Sequence, residues 1–366
     1  MQKWSRRWFL ASLAANYAAQ WGRAEVIGKG RTFPAVAARY ADPATEFVVV
    51  RLTDPQFTSM LALAGNRGIT ARSLLYASDQ TGSWQAFQMD LKTRQSKQLT
   101  EASQLDPASL ALLPADRGFL HLDGTRLVET PFSAGKTRDR YRLPEDVEKS
   151  PGVHYSDDGR HAVFAAKKAG RFRMDLVNLH GGTARMLVES QSELHQPLPR
   201  PRHNSLVYYS GNEVWTIDFN GQHNRRLPLA EGETPQVRWT ADGRGLQYLN
   251  RPADPRKLTA LREFIPETGA DAAIAETTQF IRFHGNGDSS VFIGASGSKA
   301  SPYLLLLTRT AKRELALAEH RSSSAALVNP TFAPNSQFVI FVSDRHGKPA
   351  IYWIAVEKLV TETDGT

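Results

Sequence analysis

Three histidines lie in short apolar stretches where an imidazole could take part in acid–base chemistry. His154 stands in the stretch VHY, His195 directly precedes QPLPR, and His284 ends the stretch FIRFH. An imidazole titrates near neutral pH, so it can act as a general base or hold a metal ion. We interpret His154 and His195 as candidate catalytic bases and His284 as a candidate substrate-binding residue. The alternative is that each is a hydrogen-bonded residue of a wall.

Three arginines occupy stretches of the same kind and indicate an anionic ligand. Arg200 ends QPLPR, Arg238 lies in QVRW, and Arg282 lies in FIRFH. A guanidinium fork pairs with a carboxylate through two parallel hydrogen bonds. We therefore predict that these arginines bind an acidic substrate, together with two polar neighbours, Gln236 and Asn329. The alternative is that some of the arginines stack on or pair with other parts of the protein.

The composition excludes several other kinds of chemistry. The chain has 366 residues and no cysteine, so thiol catalysis and cysteine-based metal sites are excluded. Its formal charge of +8 comes from scattered residues and gives no indication of a nucleic-acid partner. After the N-terminal segment there is no apolar run of 18 residues, so we expect no integral membrane span.

The first residues have the pattern of an export signal. Arg6 and Arg7 precede an apolar segment that runs to about residue 19, and small residues follow near Ala24. Paired arginines are the address that the twin-arginine receptor reads. We predict a twin-arginine signal peptide over residues 1–24 and a periplasmic or extracellular location. A basic amphipathic N-terminal helix is the alternative.

A short strand core recurs along the chain and must position the candidate residues. Turn sequences such as SDDG at 156–159 and TADG at 240–243 precede most of the cores, and Asp-Gly is typical of tight turns. Successive copies are separated by 45, 43, 44, 40, 45 and 48 residues. The third residues of the seven cores are Tyr76, His121, Phe164, Tyr208, Tyr248, Ile293 and Phe341. Four short strands in a unit of this length are typical of a β-propeller blade, so we predict an all-β fold, a single seven-bladed β-propeller over residues 47–360.

The last repeat lacks a fourth strand, and the N-terminal region supplies a candidate. Residues 47–54, FVVVRLTD, resemble the fourth strand of the first repeat, where QLTE occupies 98–101. A ring closed by this N-terminal strand has no open seam between its first and last blades; an exposed strand is the alternative. Residues 25–46 are then an N-terminal extension and 361–366 a C-terminal tail. The first strand of each blade lines the channel of a propeller, where the candidate residues would meet.

The stretch HRSSSAALVNPTFAPNSQFVIFVSDRHGKPAIY, residues 320–352, resembles the C-terminal blade of bacterial oligogalacturonate lyases. RYADP at 39–43, VRLT at 50–53 and PLPRP at 197–201 extend the resemblance over roughly residues 30 to 360. The shorter element SD-x-x-G-x-x-x-I-Y is shared with TolB-like propeller repeats in general. The resemblance implies a seven-bladed propeller that holds a divalent metal such as manganese through histidines and a glutamine. It also implies cleavage of short uronate chains by β-elimination.

The sequence departs from this family at the metal ligands. The family's His-Pro-His-Pro is LVNP at 327–330 here, which places Asn329 at a ligand position. An earlier ligand histidine of the family falls on Arg282, and the histidine expected before a Trp in the fifth blade falls on Gln236. Arg200 matches a polar channel residue of the family. We therefore expect no metal cofactor. Arg238 and Arg282 would clamp the substrate carboxylate instead, and His154 or His195 would be the base.

The leading hypothesis is an exported propeller that binds acidic uronate oligosaccharides or cleaves them as a carbon–oxygen lyase in pectin degradation. The alternative is a non-catalytic propeller of the cell envelope that binds saccharides, or that binds a protein partner on one face of the ring. We expect the chain to be a monomer.

Overall fold

The computed structural model describes residues 28–63, 65–133, 136–254, 256–277 and 279–361. Over these ranges the chain forms seven antiparallel sheets arranged as a ring, so the predicted seven-bladed β-propeller is confirmed. None of the helices in these ranges combines the length and the apolar character needed to cross a membrane. Arg6, Arg7 and the rest of the predicted signal peptide lie outside the described residues.

The blades follow one another in chain order, and each runs from an innermost strand at the channel to an outer edge. Blade 1 consists of Ser59–Leu61, Ser73–Ser78, Gln85–Asp90 and Ser96–Gln98, with Thr32–Phe33 at the outer edge. Blade 2 consists of Ala111–Leu112, Gly118–Asp123, Arg126–Pro131 and Arg138–Arg142. In blade 3, Glu148–Lys149 and His154–Tyr155 both pair with His161–Lys168, and Arg171–Asn178 and Thr183–Ser190 follow.

Blades 4 to 7 follow the same plan. Their strands are Leu194–Pro199, Ser205–Ser210, Glu213–Asp218 and Arg225–Arg226; Glu233–Trp239, Leu246–Arg251, Ala260–Ile265 and Ala270–Glu276; Phe280–Gly285, Val291–Ser296, Tyr303–Thr308 and Glu314–Glu319; and Thr331–Phe332, Phe338–Ser343, Ala350–Ala355, Val48–Arg51 and Ala38–Ala41. Two 3-10 turns, Pro107–Ser109 and Pro114–Asp116, and two short α-helices, Ala325–Val328 and Glu357–Thr361, complete the elements of the described ranges.

The core is divided among the boundaries between blades. Within the described ranges, one buried apolar cluster lies between each pair of neighbouring blades, including the pair formed by blades 7 and 1. The recurring core residues lie in the second strand of their blades and are at most 3% exposed; they are Tyr76, His121, Phe164, Tyr208, Tyr248, Ile293 and Phe341. The sequence repeat therefore marks the strand that packs on both neighbouring blades.

The N-terminal strand Val48–Arg51 closes the ring as the fourth strand of blade 7. Val49 pairs with Ile354, and both are buried between blades 6 and 7. The predicted closure is therefore confirmed. The segment predicted as an extension is partly built into the sheets, because Ala38–Ala41 and Thr32–Phe33 add outer strands to blades 7 and 1.

Two Ser-Asp turns, at residues 78–79 and 343–344, position the innermost strands of blades 1 and 7. The side chain of Asp79 accepts the backbone N–H of Thr58, just before the innermost strand of blade 1, at 2.8 Å. Asp344 accepts the backbone N–H of Ser323, on the segment leading to the innermost strand of blade 7, also at 2.8 Å. A bond from a turn to the entry of an innermost strand fixes the chain where it reaches the channel.

Candidate functional site

The innermost strands surround two cavities, which we call the upper and lower cavities. Their volumes are about 820 Å³ and 440 Å³. Gln236 and Arg282 line the upper cavity, whereas Arg238 and His284, two residues further along the same strands, line the lower one. The cavities therefore lie at opposite ends of the channel. Leucines that line both form an apolar waist between them: Leu61, Leu63 and Leu198.

The upper cavity collects five of the eight predicted site residues on an apolar wall. Its polar and titratable lining residues in the described part of the chain are Thr58, Ser150, His154, Glu193, His195, Gln196, Gln236, Arg282 and Asn329. Met60 and Leu327 are among the apolar ones, and Leu327 is 42% exposed. An apolar wall with a few polar groups is typical of a small-molecule site.

Arg282 carries the positive charge of the upper cavity. Its Nη1 donates to the carbonyl of Ile281 at 3.2 Å, and no described carboxylate forms an ion pair with it. Burial lowers the pKa of this guanidinium and the nearby phenol of Tyr209 acts in the opposite direction, yet an arginine stays protonated near neutral pH. Arg282 is therefore a cation with donors to spare.

His154 is a neutral imidazole of the same cavity. Burial lowers its pKa to about 4, so the ring is unprotonated near neutral pH. Its Nδ1 is shielded from solvent and has no hydrogen-bond partner among the described residues. The ring therefore lines the cavity as an uncharged group, and its low pKa makes it a weak base.

His195 is held by its surroundings. Its ring stacks on Tyr209 with centroids 4.9 Å apart and planes 6° from parallel, and its Nε2 lies 3.0 Å from the carbonyl oxygen of Gly211. That carbonyl can only accept, so Nε2 carries the proton and Nδ1 is the basic nitrogen of the neutral ring.

Gln236 has its amide engaged by the backbone of the next blade. Its Nε2 donates to the carbonyl of Phe283 at 3.3 Å, and its Oε1 accepts the N–H of the same residue at 2.9 Å. This pair of bonds ties the innermost strands of blades 5 and 6 together. Gln236 thus positions the strand that carries Arg282.

Asn329 and its neighbours form the part of the wall supplied by blade 7. Asn329 has φ of 38° and ends the short helix Ala325–Val328, whose first turn is capped by Ser324. The left-handed conformation is one that asparagine tolerates better than most residues. The helix places Leu327 in the lining of the upper cavity.

Four polar lining residues are not among the predicted site residues; they are Thr58, Ser150, Glu193 and Gln196. Gln196 is exposed and has φ of 48° at an irregularity in the strand Leu194–Pro199. Glu193, just before that strand, is the one carboxylate among the described lining residues. A signal for Gln196 was available, because Pro197 cannot donate to a strand ladder and such positions mark bulges.

Arg200 lines neither cavity as the structure describes them. Its Nε donates to the carbonyl of Gly243 at 2.7 Å, its Nη2 pairs with Glu267, and its guanidinium lies 5.0 Å from the ring centroid of Trp239. The side chain is only 10% exposed. Arg200 therefore joins blades 4 and 5, which was the alternative interpretation, and is not free for a substrate.

Arg238 and His284 also lie apart from the predicted clamp. Side chains of a strand alternate between faces, but these two residues are displaced along the channel into the lower cavity. The predicted pairing of Arg238 with Arg282 on one carboxylate is therefore wrong. Arg282 lies in the wall of the upper cavity, whereas Arg238 lies in the wall of the lower one, together with Arg67.

The residues of the channel do not fit a metal ion. No group of three histidines, aspartates or glutamates stands close enough to share a metal in the part of the chain that the structure describes. At Arg282 the side chain offers only donors, and metal binding requires a lone pair.

Comparisons with known proteins agree with the resemblance found in the sequence. The chain is 24% identical over 380 residues to the oligogalacturonide lyase of Pectobacterium atrosepticum. It is 22% identical over 382 residues to the oligogalacturonate lyase of Dickeya dadantii. Each alignment covers 89% of this chain and 97% of the relative. No family model matches the chain.

Two solved structures share the fold. An oligogalacturonate lyase in complex with manganese has a TM-score of 0.84 at 21% identity, over 90% of this chain and 98% of its own. An oligogalacturonate lyase from Vibrio parahaemolyticus has a TM-score of 0.83 at 20% identity, over 90% and 99%. The predicted resemblance to oligogalacturonate lyases is confirmed over nearly the whole chain.

Proposed function

We propose that the chain binds acidic oligosaccharides built of uronate units in the upper cavity, with Arg282 as the carboxylate-binding group. The observation that carries the proposal is an unpaired guanidinium in the wall of an 820 Å³ cavity. The names of the two similar proteins, which give oligogalacturonide and oligogalacturonate as what they cleave, support this class of ligand.

The chemistry of the wall agrees with such a ligand. A charge-assisted hydrogen bond from a guanidinium to a carboxylate is worth about 1.5–3 kcal/mol, because the charge is already partly desolvated before the ligand arrives. Gln196 and Asn329 can meet sugar hydroxyls, and Met60 and Leu327 provide apolar surface for the C–H faces of a sugar ring. Cavities of about 300–1,000 Å³ are typical of small-ligand sites.

Cleavage by β-elimination is a second candidate function, and the neutral imidazole of His154 in the wall of the upper cavity favours it. Here the base removes the proton from the carbon next to the carboxylate. The electrons of that C–H bond form a carbon–carbon double bond, the bond to the leaving sugar oxygen breaks, and the oxygen takes up a proton. Arg282 would acidify the C–H by neutralising the carboxylate. A base with a pKa of about 4 removes such a proton slowly, so binding should be easier to detect than turnover.

The test is to incubate the purified protein with oligogalacturonates of several lengths and, as a control, with neutral oligosaccharides of matched length. Thermal shift reports binding, and ultraviolet absorbance reports the unsaturated product of elimination. We expect a shift with the acidic ligands alone. Absorbance growth in addition would support the lyase. No shift with any uronate would overturn the proposal and leave the protein-interaction propeller as the hypothesis.

We also propose that the protein is exported by the twin-arginine route, which the Arg6-Arg7 pair and the apolar segment after it support. Lysine does not reproduce the guanidinium fork that the receptor recognises. Replacing both arginines by lysine should keep the protein in the cytoplasm. Cell fractionation measures this, and an unchanged exported yield would contradict the proposal.

A further inference from the structure

The lower cavity contains a second arginine, Arg238, for which the described residues provide no ion-pair partner. The Nη1 atom of Arg238 is shielded from solvent and has no hydrogen-bond partner among the described residues. Burial lowers the pKa of this guanidinium to about 10, which still leaves it charged near neutral pH. A buried charge without a counterion costs several kcal/mol in desolvation, so such charges are normally paired.

A neutral histidine accompanies Arg238. His284 lies on the adjoining innermost strand, and its Nδ1 is also shielded and without a partner in the described part of the chain. Burial, and then the charge of Arg238, hold the pKa of His284 well below its ordinary value. The two side chains therefore bring a guanidinium charge and an uncharged imidazole to the wall of one small cavity.

The other charged groups of the lower cavity are already engaged. Arg67 donates to the carbonyl of Leu113 at 3.2 Å and pairs with Asp116 at 2.6 Å. The carboxylate of Asp157 accepts the backbone N–H of Arg202 at 3.0 Å. Neither group neutralises Arg238.

The cavity also has room beside these groups. A Cβ atom added to Gly287, one of the lining residues, would meet no heavy atom within 4 Å. The volume of 440 Å³ lies within the range of cavities that bind small molecules. The apolar waist separates this space from the upper cavity.

We propose that the lower cavity is a second binding site, for a small oxyanion of the carboxylate or phosphate class. Arg238 binds the anion through its guanidinium, and His284 contributes a hydrogen bond from its ring. The site does not rest on the proposed uronate function, because it uses different residues at the opposite end of the channel. The bound anion would then be the counterion of Arg238.

The test uses the full chain and compares sodium phosphate and sodium malonate with sodium chloride at constant ionic strength. We expect the melting temperature to rise by several degrees with at least one of the two oxyanions, since a ligand at 100 times its Kd adds about 2.7 kcal/mol to stability. A response to phosphate alone, or to malonate alone, identifies which of the two anions is the ligand class. No response in the wild type up to 100 mM would overturn the proposal.

Two variants at Arg238 and one control assign the response to this site. Arg238→Met should abolish it, and this variant should melt in chloride at least as high as the wild type because the unpaired charge is gone. Arg238→Lys keeps the charge but loses the fork, so we expect affinity to fall about tenfold. Arg282→Ala should keep the oxyanion response while losing uronate binding. The assignment is overturned if an Arg238 variant that folds shows the same rise in melting temperature with the oxyanion as the wild type.

Discussion

Arg282 lies in the wall of the upper cavity, and Arg200 lies at the boundary between blades 4 and 5. The two arginines come from the same kind of sequence stretch but have different roles. Arg282 makes one hydrogen bond, to the carbonyl of the preceding residue. Arg200 is engaged on three sides by groups of blade 5. The difference shows that partners from a neighbouring blade, rather than residue type or place in the repeat, decide whether an arginine is available to a ligand.

The comparison has an energetic side. The hydrogen bonds and ring contact of Arg200 exist in the folded protein without any ligand, so removing them should cost stability. The donors of Arg282 gain a partner only when an anion binds, so removing them should cost affinity.

The largest effect should come from removing the strand that closes the ring, because both regions depend on it. A chain that starts at Gln56 lacks Val48–Arg51, which leaves Ala350–Ala355 with an unpaired edge and uncovers the cluster around Val49. We expect loss of cooperative thermal unfolding. A chain that starts at Phe47 keeps the closing strand and is the matched control. Equal melting of both shortened chains would show that the ring closes in some other way.

Truncating the free arginine should impair ligand binding. Arg282→Ala should weaken oligogalacturonate binding about ten- to a hundred-fold, because it removes a charge-assisted bond worth about 1.5–3 kcal/mol. Isothermal titration calorimetry measures this. Arg200→Ala, assayed well below its melting temperature, should bind within about threefold of the wild type. If the two variants lose affinity equally, the distinction between them is wrong.

Truncating the engaged arginine should instead impair folding stability. Arg200→Ala removes a hydrogen bond to Gly243, an ion pair with the half-exposed Glu267 and a contact with Trp239. We expect the free energy of unfolding to fall by about 1–3 kcal/mol in urea titrations. Arg282→Ala should change it by less than about 0.5 kcal/mol. The reverse order of the two losses would contradict the structural roles.

The neutral state of His154 should make stability depend on pH. Its pKa of about 4 in the fold lies below the ordinary value near 6.5, so the unfolded chain binds the proton more tightly. The stabilisation that comes from the neutral state of His154 is complete above about pH 6.5 and is lost as the pH falls towards 4. From pH 7 to 5 the wild type should lose about 1–2 kcal/mol more than His154→Gln. The buried His121 titrates in the same range but is present in both proteins, so equal losses would mean that His154 is not buried in a neutral state.

The sequence repeat predicts the fold well because it is set by local physics. Tight turns and buried strand cores recur at a nearly constant interval, and the residues from Tyr76 to Phe341 that mark the interval all lie in second strands. The closing strand was also recognisable from the parallel between its RLTD and the QLTE of blade 1.

The site was less predictable because its decisive contacts are distant in sequence. Arg200 bonds to Gly243 and Glu267, which lie 43 and 67 residues further along the chain. Gln236 is engaged by Phe283 over 47 residues. Which end of the channel a residue faces also depends on where its strand starts, and this separates Arg238 from Arg282.

We propose that a guanidinium rather than a metal receives the substrate carboxylate in the upper cavity. A calorimetric titration of oligogalacturonate into the wild-type protein tests this directly when it is run once with EDTA and once with manganese. Arg282 is present and unpaired in either condition, so we predict dissociation constants that agree within about twofold, corresponding to about 0.4 kcal/mol. Binding that requires manganese and disappears in EDTA would contradict the account.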